Sequence, residues 1–359
     1  MTRPLRICLI ASSRFPIAEP FAGGLEAHTH GLARELIERG HDVSLFAAPG
    51  SDPGLGAREL GVEVFTSSDV ARADVGARPE QWMREHHAYL KLMLDLGREG
   101  SSRYDVVHNN SLHHLPVAMA SSTGLPFVTT LHTPPIPWLE SAAQLSGPGM
   151  AYAAVSEHTS KAWRHVALSS VILNGVDTDR WVQGPGGDAA IWFGRLVPEK
   201  APHLAILAAR EAGIDIDLAG PSLDPVYFDE QIAPLLGPHA RYLGHLRHKP
   251  LIDAVGRARV SVITPMWDEP YGLVAAESLA CGTPVASFAR GGLVEIIDEA
   301  SGCLAVAGDV ESLAGAIRRA SMLDRDDARH RAVSSCSLDR MVDDYEALYE
   351  SLLSTEIAA

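Results

Sequence analysis

Short apolar segments alternate with longer stretches of helical periodicity along the first half of the chain. This alternation is typical of successive βα units, and Glu26–Arg39 and Gln81–Leu96 are predicted helices. Because the apolar segments are nearly continuous, they predict a parallel sheet covered by helices on both faces. The predicted strands are Leu5–Ala11, Asp42–Ala47, Asp105–His108, Pro126–Leu131 and Ala151–Ser156.

The alternation resumes at Ala190, after the turn-forming cluster Gln183-Gly184-Pro185-Gly186-Gly187. An α/β fold of two domains is therefore predicted, residues 1–184 and 185–337. Residues 338–359 carry one apolar stripe and predict a last helix that must pack on a neighbour. The later predicted strands are Ile191–Gly194, Ile214–Ala219, Ala240–Leu243, Val260–Pro265 and Pro284–Ser287.

Composition narrows the possible partners. The 45 acidic residues outnumber 30 basic ones, and a net charge of -15 disfavours nucleic acid. The four cysteines form no CxxC pair, which disfavours a zinc site or a redox dithiol. The first apolar segment ends at Ala11, too early for a signal segment, and no apolar run reaches membrane-spanning length. We expect a cytoplasmic monomer or homodimer without stable membrane insertion.

Paired glycines follow the first strand. Twelve residues, Ser12–Gly23, replace the prompt G-x-G-x-x-G of a dinucleotide-binding fold, which argues against an NAD enzyme. Gly23 and Gly24 precede a helix, so their backbone could approach an anion at its positive end, although a simple turn is the alternative.

Two cations follow the first strand of the second half. Arg195 lies just past Ile191–Gly194, and Lys200 is predicted at the start of the next helix. A guanidinium fork and a mobile ammonium together suit a diphosphate. Two solvated surface cations are the alternative.

The segment from Glu269 to Glu277 is the strongest chemical pattern. Pro270 and Gly272 force a loop before the predicted helix Leu273–Ala280, so one carboxylate precedes the helix and the other lies about one turn inside it. Two carboxylates flanking an anion-binding helix start fit a sugar nucleotide, whereas acidic residues favoured by the helix dipole are the alternative. The free N–H groups between them belong to Gly272, Leu273 and Val274.

Taken together, these motifs resemble the retaining glycosyltransferases of family 4, whose GT-B fold places two Rossmann-like domains across a cleft. The resemblance spans essentially the whole chain and implies that the last helix crosses back to the N-terminal domain. Tyr271 departs from the usual motif, which often has Phe. The matching motifs are Gly23-Gly24-Leu25-Glu26, Leu131-His132, Ala154-Val155-Ser156, Ile172-Leu173-Asn174-Gly175-Val176-Asp177, Gly194-Arg195-Leu196-Val197-Pro198-Glu199-Lys200 and the Glu269 to Glu277 segment.

The resemblance implies roles for these residues. Arg195 and Lys200 would hold the donor diphosphate, Glu269 the transferred hexose and Glu277 the ribose. Gly23 and Gly24 would bring their backbone close to the donor phosphate. The free N–H groups of Gly272, Leu273 and Val274 would contact the phosphate from the other domain. His132 would line the sugar pocket near the anomeric carbon.

The implied reaction retains stereochemistry by attack from the leaving-group face, without a protein nucleophile and without a metal. UDP-glucose is the default donor only because UDP donors are common in the family, so GDP-mannose and UDP-N-acetylglucosamine stay open. The C-terminal domain would bind this donor and the N-terminal domain a small, soluble acceptor.

Candidate acceptor residues come from the N-terminal domain. Glu26 and His28 follow the glycine pair, and Thr133 and Trp138 belong to a proline-stiffened loop after a predicted strand. A plain connector and surface histidines are the alternatives. The D-x-D triplets starting at Asp177 and Asp215 are interpreted as turn and strand residues, so no metal site is predicted.

Two other functions remain open. A sugar-nucleotide epimerase of the same fold would need an acid-base set around sugar C2, and no motif supplies one. A non-catalytic sugar-nucleotide sensor or partner subunit would have no chemical need for Arg195, Lys200, Glu269 and Glu277 together.

Overall fold

The computed structural model describes residues 3–147 and 149–357. The first domain contains a seven-stranded parallel sheet with the order β3-β2-β1-β4-β5-β6-β7. All five predicted strands are present, while the three-residue strands β3 and β7 were too short for the apolar pattern to reveal. The strands are β1 Arg6–Ile10, β2 Asp42–Ala47, β3 Ala57–Glu59, β4 Val106–Asn109, β5 Phe127–Leu131, β6 Met150–Ala154 and β7 Ser169–Val171.

Helices cover both faces of this sheet. The two predicted helices occur as α1 and α3, and α3 extends seven residues beyond the predicted end at Leu96. The helices are α1 Gly24–Glu38, α2 Asp69–Arg72, α3 Glu80–Arg103, α4 His114–Met119, α5 Pro137–Leu145 and α6 Glu157–Trp163.

The second domain contains a six-stranded parallel sheet with the order β10-β9-β8-β11-β12-β13. Its last strand was not predicted, because its sequence, Gly-Cys-Leu-Ala, is short and starts with glycine. The strands are β8 Ala190–Phe193, β9 Ile216–Ala219, β10 Ala240–Tyr242, β11 Val260–Ile263, β12 Val285–Phe288 and β13 Gly302–Ala305. The helices are α7 Pro202–Ala212, α8 Pro225–Tyr227, α9 His248–Gly256, α10 Leu273–Ala280, α11 Leu293–Ile296, α12 Val310–Ala320 and α13 Arg325–Ser335.

The chain passes from one sheet to the other between Val171 and Ala190, a segment without strand or helix that includes the proposed boundary at residues 184 and 185. Contacts between the domains are polar as well as apolar. The Ser156 and Thr159 hydroxyls at the start of α6 donate to the carbonyl of Pro270. Glu295 accepts hydrogen bonds from the N–H groups of residues 157 and 158, both 2.8 Å long, so a carboxylate of one domain caps a helix of the other.

The last helix, α14, spans Leu338–Ile357, and residues 358 and 359 of its predicted range lie outside the described residues. It packs on the first domain, as the resemblance implied. Tyr345 donates to or accepts from the Thr130 hydroxyl at 3.0 Å, and the Tyr349 hydroxyl lies 2.6 Å from Nδ1 of His108. Across residues 3–147 and 149–357, no helix combines the length and apolar character needed to cross a membrane.

Candidate functional site

The two sheets direct the carboxyl ends of their strands toward a shared cleft. Its cavity has a volume of about 480 Å³ and is lined by residues of both domains. The ends of β8 and β11 supply Arg195 and Glu269 from one side, and the end of β5 supplies His132 from the other. This is the position at which parallel α/β sheets usually bind ligands.

Two helix N-termini meet across this cleft. Gly23 precedes α1 and Gly272 precedes α10, and neither helix has a side-chain cap. A Cβ at Gly24 would lie 3.0 Å from the side chain of Leu273, so only glycine allows this approach without a shift of its neighbour. Gly272 has φ +109°, which also favours glycine. The positive ends of two helix dipoles therefore face one region, whose lining includes Val274.

Lys200 and Glu269 form an ion pair at the cleft wall. Lys200 lies in the short turn Pro198–Lys200, and α7 begins at Pro202, so the predicted helix start at this lysine was two residues too early. The indole Nε1 of Trp267 donates to Glu269 Oε2 at 3.1 Å, and the lysine Nζ lies 5.3 Å from the centre of the same ring. One carboxylate is thus held by a cation and an indole that also contact each other.

Arg195 lies on the same wall, and its side chain is 37% exposed. Its nearest carboxylate partner is Glu199, at 3.9 Å. On the opposite wall Glu26 is almost fully buried, which raises its pKa, while Arg195 and Arg14 partly oppose that rise. The positive charge of Arg195 is therefore only weakly neutralised by nearby carboxylates, and its guanidinium remains available to an anionic ligand.

Glu277 lies inside α10 and lines the cleft. Its surroundings remove enough water to raise the pKa of its carboxyl to about 8, with no other cause opposing the shift. The described residues offer this side chain no hydrogen bond or ion pair. A desolvated carboxyl without a partner is suited to hydroxyl groups of a ligand.

A cluster of neutral polar groups forms the first domain's side of the cleft. His132 Nε2 lies 2.8 Å from the Asn110 side-chain oxygen, and its ring packs edge to face on His28 at 4.8 Å between centroids. Burial lowers the pKa of His28 to about 4 and that of His132 well below its ordinary value. Several buried polar atoms here have no partner among the described residues: both ring nitrogens of His28, Nδ2 of Asn110, Oγ1 of Thr133 and Oδ1 of Asn174.

Not every predicted residue reaches the cleft. Trp138 lies at the start of α5 and packs on Trp82 and His114, outside the lining of the cavity. The proline-rich loop carries it around the edge of the domain, a direction that sequence could not supply.

Three of the four aspartates of the D-x-D triplets have side-chain partners in the protein. Asp177 binds Arg34 and accepts from two backbone N–H groups, and its pKa is lowered by these contacts although burial, the largest single effect, opposes them. In the described ranges, no three His, Cys, Asp or Glu side chains are placed to hold a metal ion. The second triplet pairs with His239 and Arg241.

Sequence reasoning missed three residues of the site. Trp267 lies two positions before Glu269, in the loop that follows β11, and Asn110 immediately follows β4. Asn174 belongs to a motif that carried the resemblance but received no role. Position at the carboxyl end of a strand was the available signal for the first two.

Comparisons with known proteins agree with this architecture. Residues 22–180 match the family described as Glycosyltransferase Family 4, and residues 179–334 match Glycosyl transferases group 1. The chain is 28% identical to a glycogen synthase of Mycobacterium tuberculosis, over 95% of this chain and 91% of the relative. It is also 28% identical to a D-inositol 3-phosphate glycosyltransferase of Mycolicibacterium paratuberculosis, with coverage of 93% and 88%.

Solved structures share the fold. AviGT4, a glycosyltransferase involved in avilamycin A biosynthesis, superposes with a TM-score of 0.71 at 23% identity, covering 98% of both chains. Anabaena Alr3699/HepE in complex with UDP-glucose superposes with a TM-score of 0.73 at 18% identity, covering 97% of this chain and 100% of that one.

Proposed function

The chain belongs to glycosyltransferase family 4, and we propose that it transfers a hexose from a nucleoside diphosphate sugar to a hydroxyl group of a small acceptor, with retention of configuration. One observation carries the proposal. Arg195, Lys200, Glu269 and Glu277 converge on a cleft where two uncapped helix N-termini meet.

The donor diphosphate is proposed to bind at the two helix N-termini. Departure of the nucleotide leaves negative charge on the β-phosphate, and preorganised cations and N–H groups stabilise such charge. Arg195 and Lys200 supply the cations, and Gly24 and Gly272 allow the backbone to come close. Glu277 is proposed to bind the ribose hydroxyls, since it has no other partner among the described residues.

The hexose is proposed to lie between Glu269 and His132. Because His132 is neutral, its Nε2–H donates to Asn110, and its Nδ1 is left to accept from a sugar hydroxyl. Glu269 is held by Lys200 and Trp267, which suits a carboxylate that binds hydroxyls rather than one that attacks carbon. We therefore propose that the departing phosphate oxygen takes the proton of the acceptor hydroxyl as the new glycosidic bond forms.

The acceptor is proposed to be an uncharged hydroxyl compound. Two of the three arginines that line the first domain's side form ion pairs, Arg34 with Asp177 and Arg180 with Glu19 at 2.8 Å. The third, Arg14, acts electrostatically on the buried Glu26. The remaining groups, led by His28 and Thr133, are neutral donors and acceptors. This set suits sugar hydroxyls better than phosphate or carboxylate.

UDP-glucose is the proposed donor, and no divalent metal is proposed to take part. A complex of Alr3699/HepE with UDP-glucose supports the first point for a protein of the same fold. The four free cysteines support a reducing, cytoplasmic location for the reaction.

Donor consumption measured with and without acceptor sugars tests the proposal. Glu269→Ala is expected to slow transfer by about a hundredfold or more while UDP still raises the melting temperature. Asp268→Ala is the matched control, because this neighbouring carboxylate lies outside the lining of the cleft and is 53% exposed. Wild-type activity in Glu269→Ala would refute the assignment, and donor isomerisation without acceptor would favour the epimerase.

A further inference from the structure

Two of the six tryptophans lie on the outer surface of the first domain. Trp163, Trp181 and Trp192 are buried in the core, and Trp267 lines the cleft. Trp138, in contrast, is 55% exposed and contacts Trp82, with the ring centroids 6.2 Å apart. Tryptophan is a large apolar side chain with one polar N–H group, and it is enriched where proteins bind other molecules.

Three histidine rings extend the tryptophan pair into one surface. Trp82 stacks on His86 at 5.0 Å, and His114 packs on Trp138 at 5.3 Å. His113 stacks on His114 at 4.5 Å and lies 6.0 Å from His86. These five residues are called the aromatic face below.

The aromatic face carries no charge near neutral pH. Burial is the largest cause lowering the pKa values of His86, His113 and His114, and repulsion from neighbouring imidazoles adds to it; His113 is lowered to about 3. The nearby Arg84 is engaged by Glu63 at 2.7 Å and lies 3.8 Å from Glu80. His86 Nδ1 is buried and has no hydrogen-bond partner among the described residues.

The aromatic face adjoins the cleft. Leu112 and Thr133 line the cavity, and His113 follows Leu112 directly. Trp138 is five residues beyond Thr133, so the two residues are at most about 18 Å apart. Both connections start from the carboxyl ends of β4 and β5, the edge of the sheet that supplies the proposed acceptor side.

We propose that the aromatic face is a second sugar-binding subsite, which binds pyranose rings of an acceptor glycan whose end lies in the cleft. A pyranose presents an apolar face of C–H groups and an edge of hydroxyls. Tryptophan rings match the first, and neutral imidazoles match the second. This inference rests on the proposed function, and it extends the acceptor from one sugar to a chain.

The absence of positive charge on the aromatic face favours a glycan over a membrane as its ligand. Anionic lipid surfaces attract basic clusters, whereas the aromatic face has none and the chain carries a net charge of -15. A phosphorylated acceptor would likewise lack a cation here.

Quenching of tryptophan fluorescence by maltoheptaose, cellohexaose and chitohexaose tests the subsite, with glucose for comparison. We expect at least one oligosaccharide to bind, and Trp138→Ala and Trp82→Ala each to weaken it about tenfold or more. The matched control is Leu168→Ala, which removes a side chain that is 82% exposed elsewhere on the same domain. With an oligosaccharide acceptor, KM rises in both tryptophan variants, while kcat with a monosaccharide acceptor is unchanged.

Three outcomes overturn the inference: no binding of any of the three oligosaccharides, equal binding by the tryptophan variants, or sedimentation with phosphatidylglycerol vesicles that requires Trp138. Thermal stabilisation by UDP is measured in parallel. If UDP still stabilises every variant, the subsite alone has failed; if UDP stabilises none, including wild type, the proposed function has failed with it.

Discussion

Replacing Trp267 by Phe removes one N–H group and keeps an aromatic ring beside Lys200. The lost hydrogen bond is 3.1 Å long and ends on a carboxylate. Hydrogen bonds to charged groups contribute about 1.5–3 kcal/mol, so kcat/KM is expected to fall about tenfold to a hundredfold if the bond orients Glu269 in the transition state. Trp267→Ala also removes the cation–π contact with Lys200 and is expected to cost up to about tenfold more.

The measurement is the initial rate of transfer from UDP-glucose, as kcat and KM for the donor, in Trp267→Phe, Glu269→Ala and the double variant. If the indole acts through Glu269, its replacement has no further effect once that carboxylate is gone. The effect should fall mainly on kcat, because Trp267 is not proposed to touch the nucleotide.

Two results would refute this reasoning. Additive losses in the double variant would show that Trp267 acts independently of Glu269. A loss that follows a lower melting temperature would show that the indole matters for folding, so thermal unfolding of each variant is recorded alongside the rates.

Three further predictions concern the donor side. Lys200→Ala is expected to weaken UDP binding about tenfold or more, measured by calorimetry; unchanged affinity would remove the ammonium from the diphosphate site. Near pH 7 Glu277 holds a proton, because its pKa is raised to about 8, and ribose hydroxyls favour its ionised form. UDP binding should therefore release a proton and strengthen from pH 7 to 8, as calorimetry in two buffers would detect, and equal release by Glu277→Gln would contradict the assignment. EDTA should leave the transfer rate unchanged, whereas restoration of a lost rate by Mg²⁺ would contradict metal independence.

The sequence predicted the parts of the site that depend on local order. A loop after β11, a glycine and a helix start follow one another in the chain, and α10 spans Leu273–Ala280 as predicted. That the N-terminus of α10 lies opposite Gly24 could be predicted only from the family resemblance. Side-chain directions were not accessible, since the path of a proline-rich loop decided that Trp138 lies beside the cleft and not in its lining.

Residues missed in the sequence have tertiary causes. Asn110 matters because β4 and β5 are neighbours, which places its side-chain oxygen beside His132. Trp267 matters because two loops meet, one carrying Lys200 and the other Glu269. The short strands β3, β7 and β13 owe their conformation to the sheets they join, because three or four residues carry too little pattern of their own.

The way α14 completes the first domain has a consequence for synthesis. Tyr349 meets His108 across 241 residues of chain, so the apolar groove that receives this helix stays open while the ribosome makes the whole second domain. The first domain should therefore expose this apolar groove until α14 has been made. Chaperones that recognise hydrophobic surface are expected to associate with the groove before the chain is released.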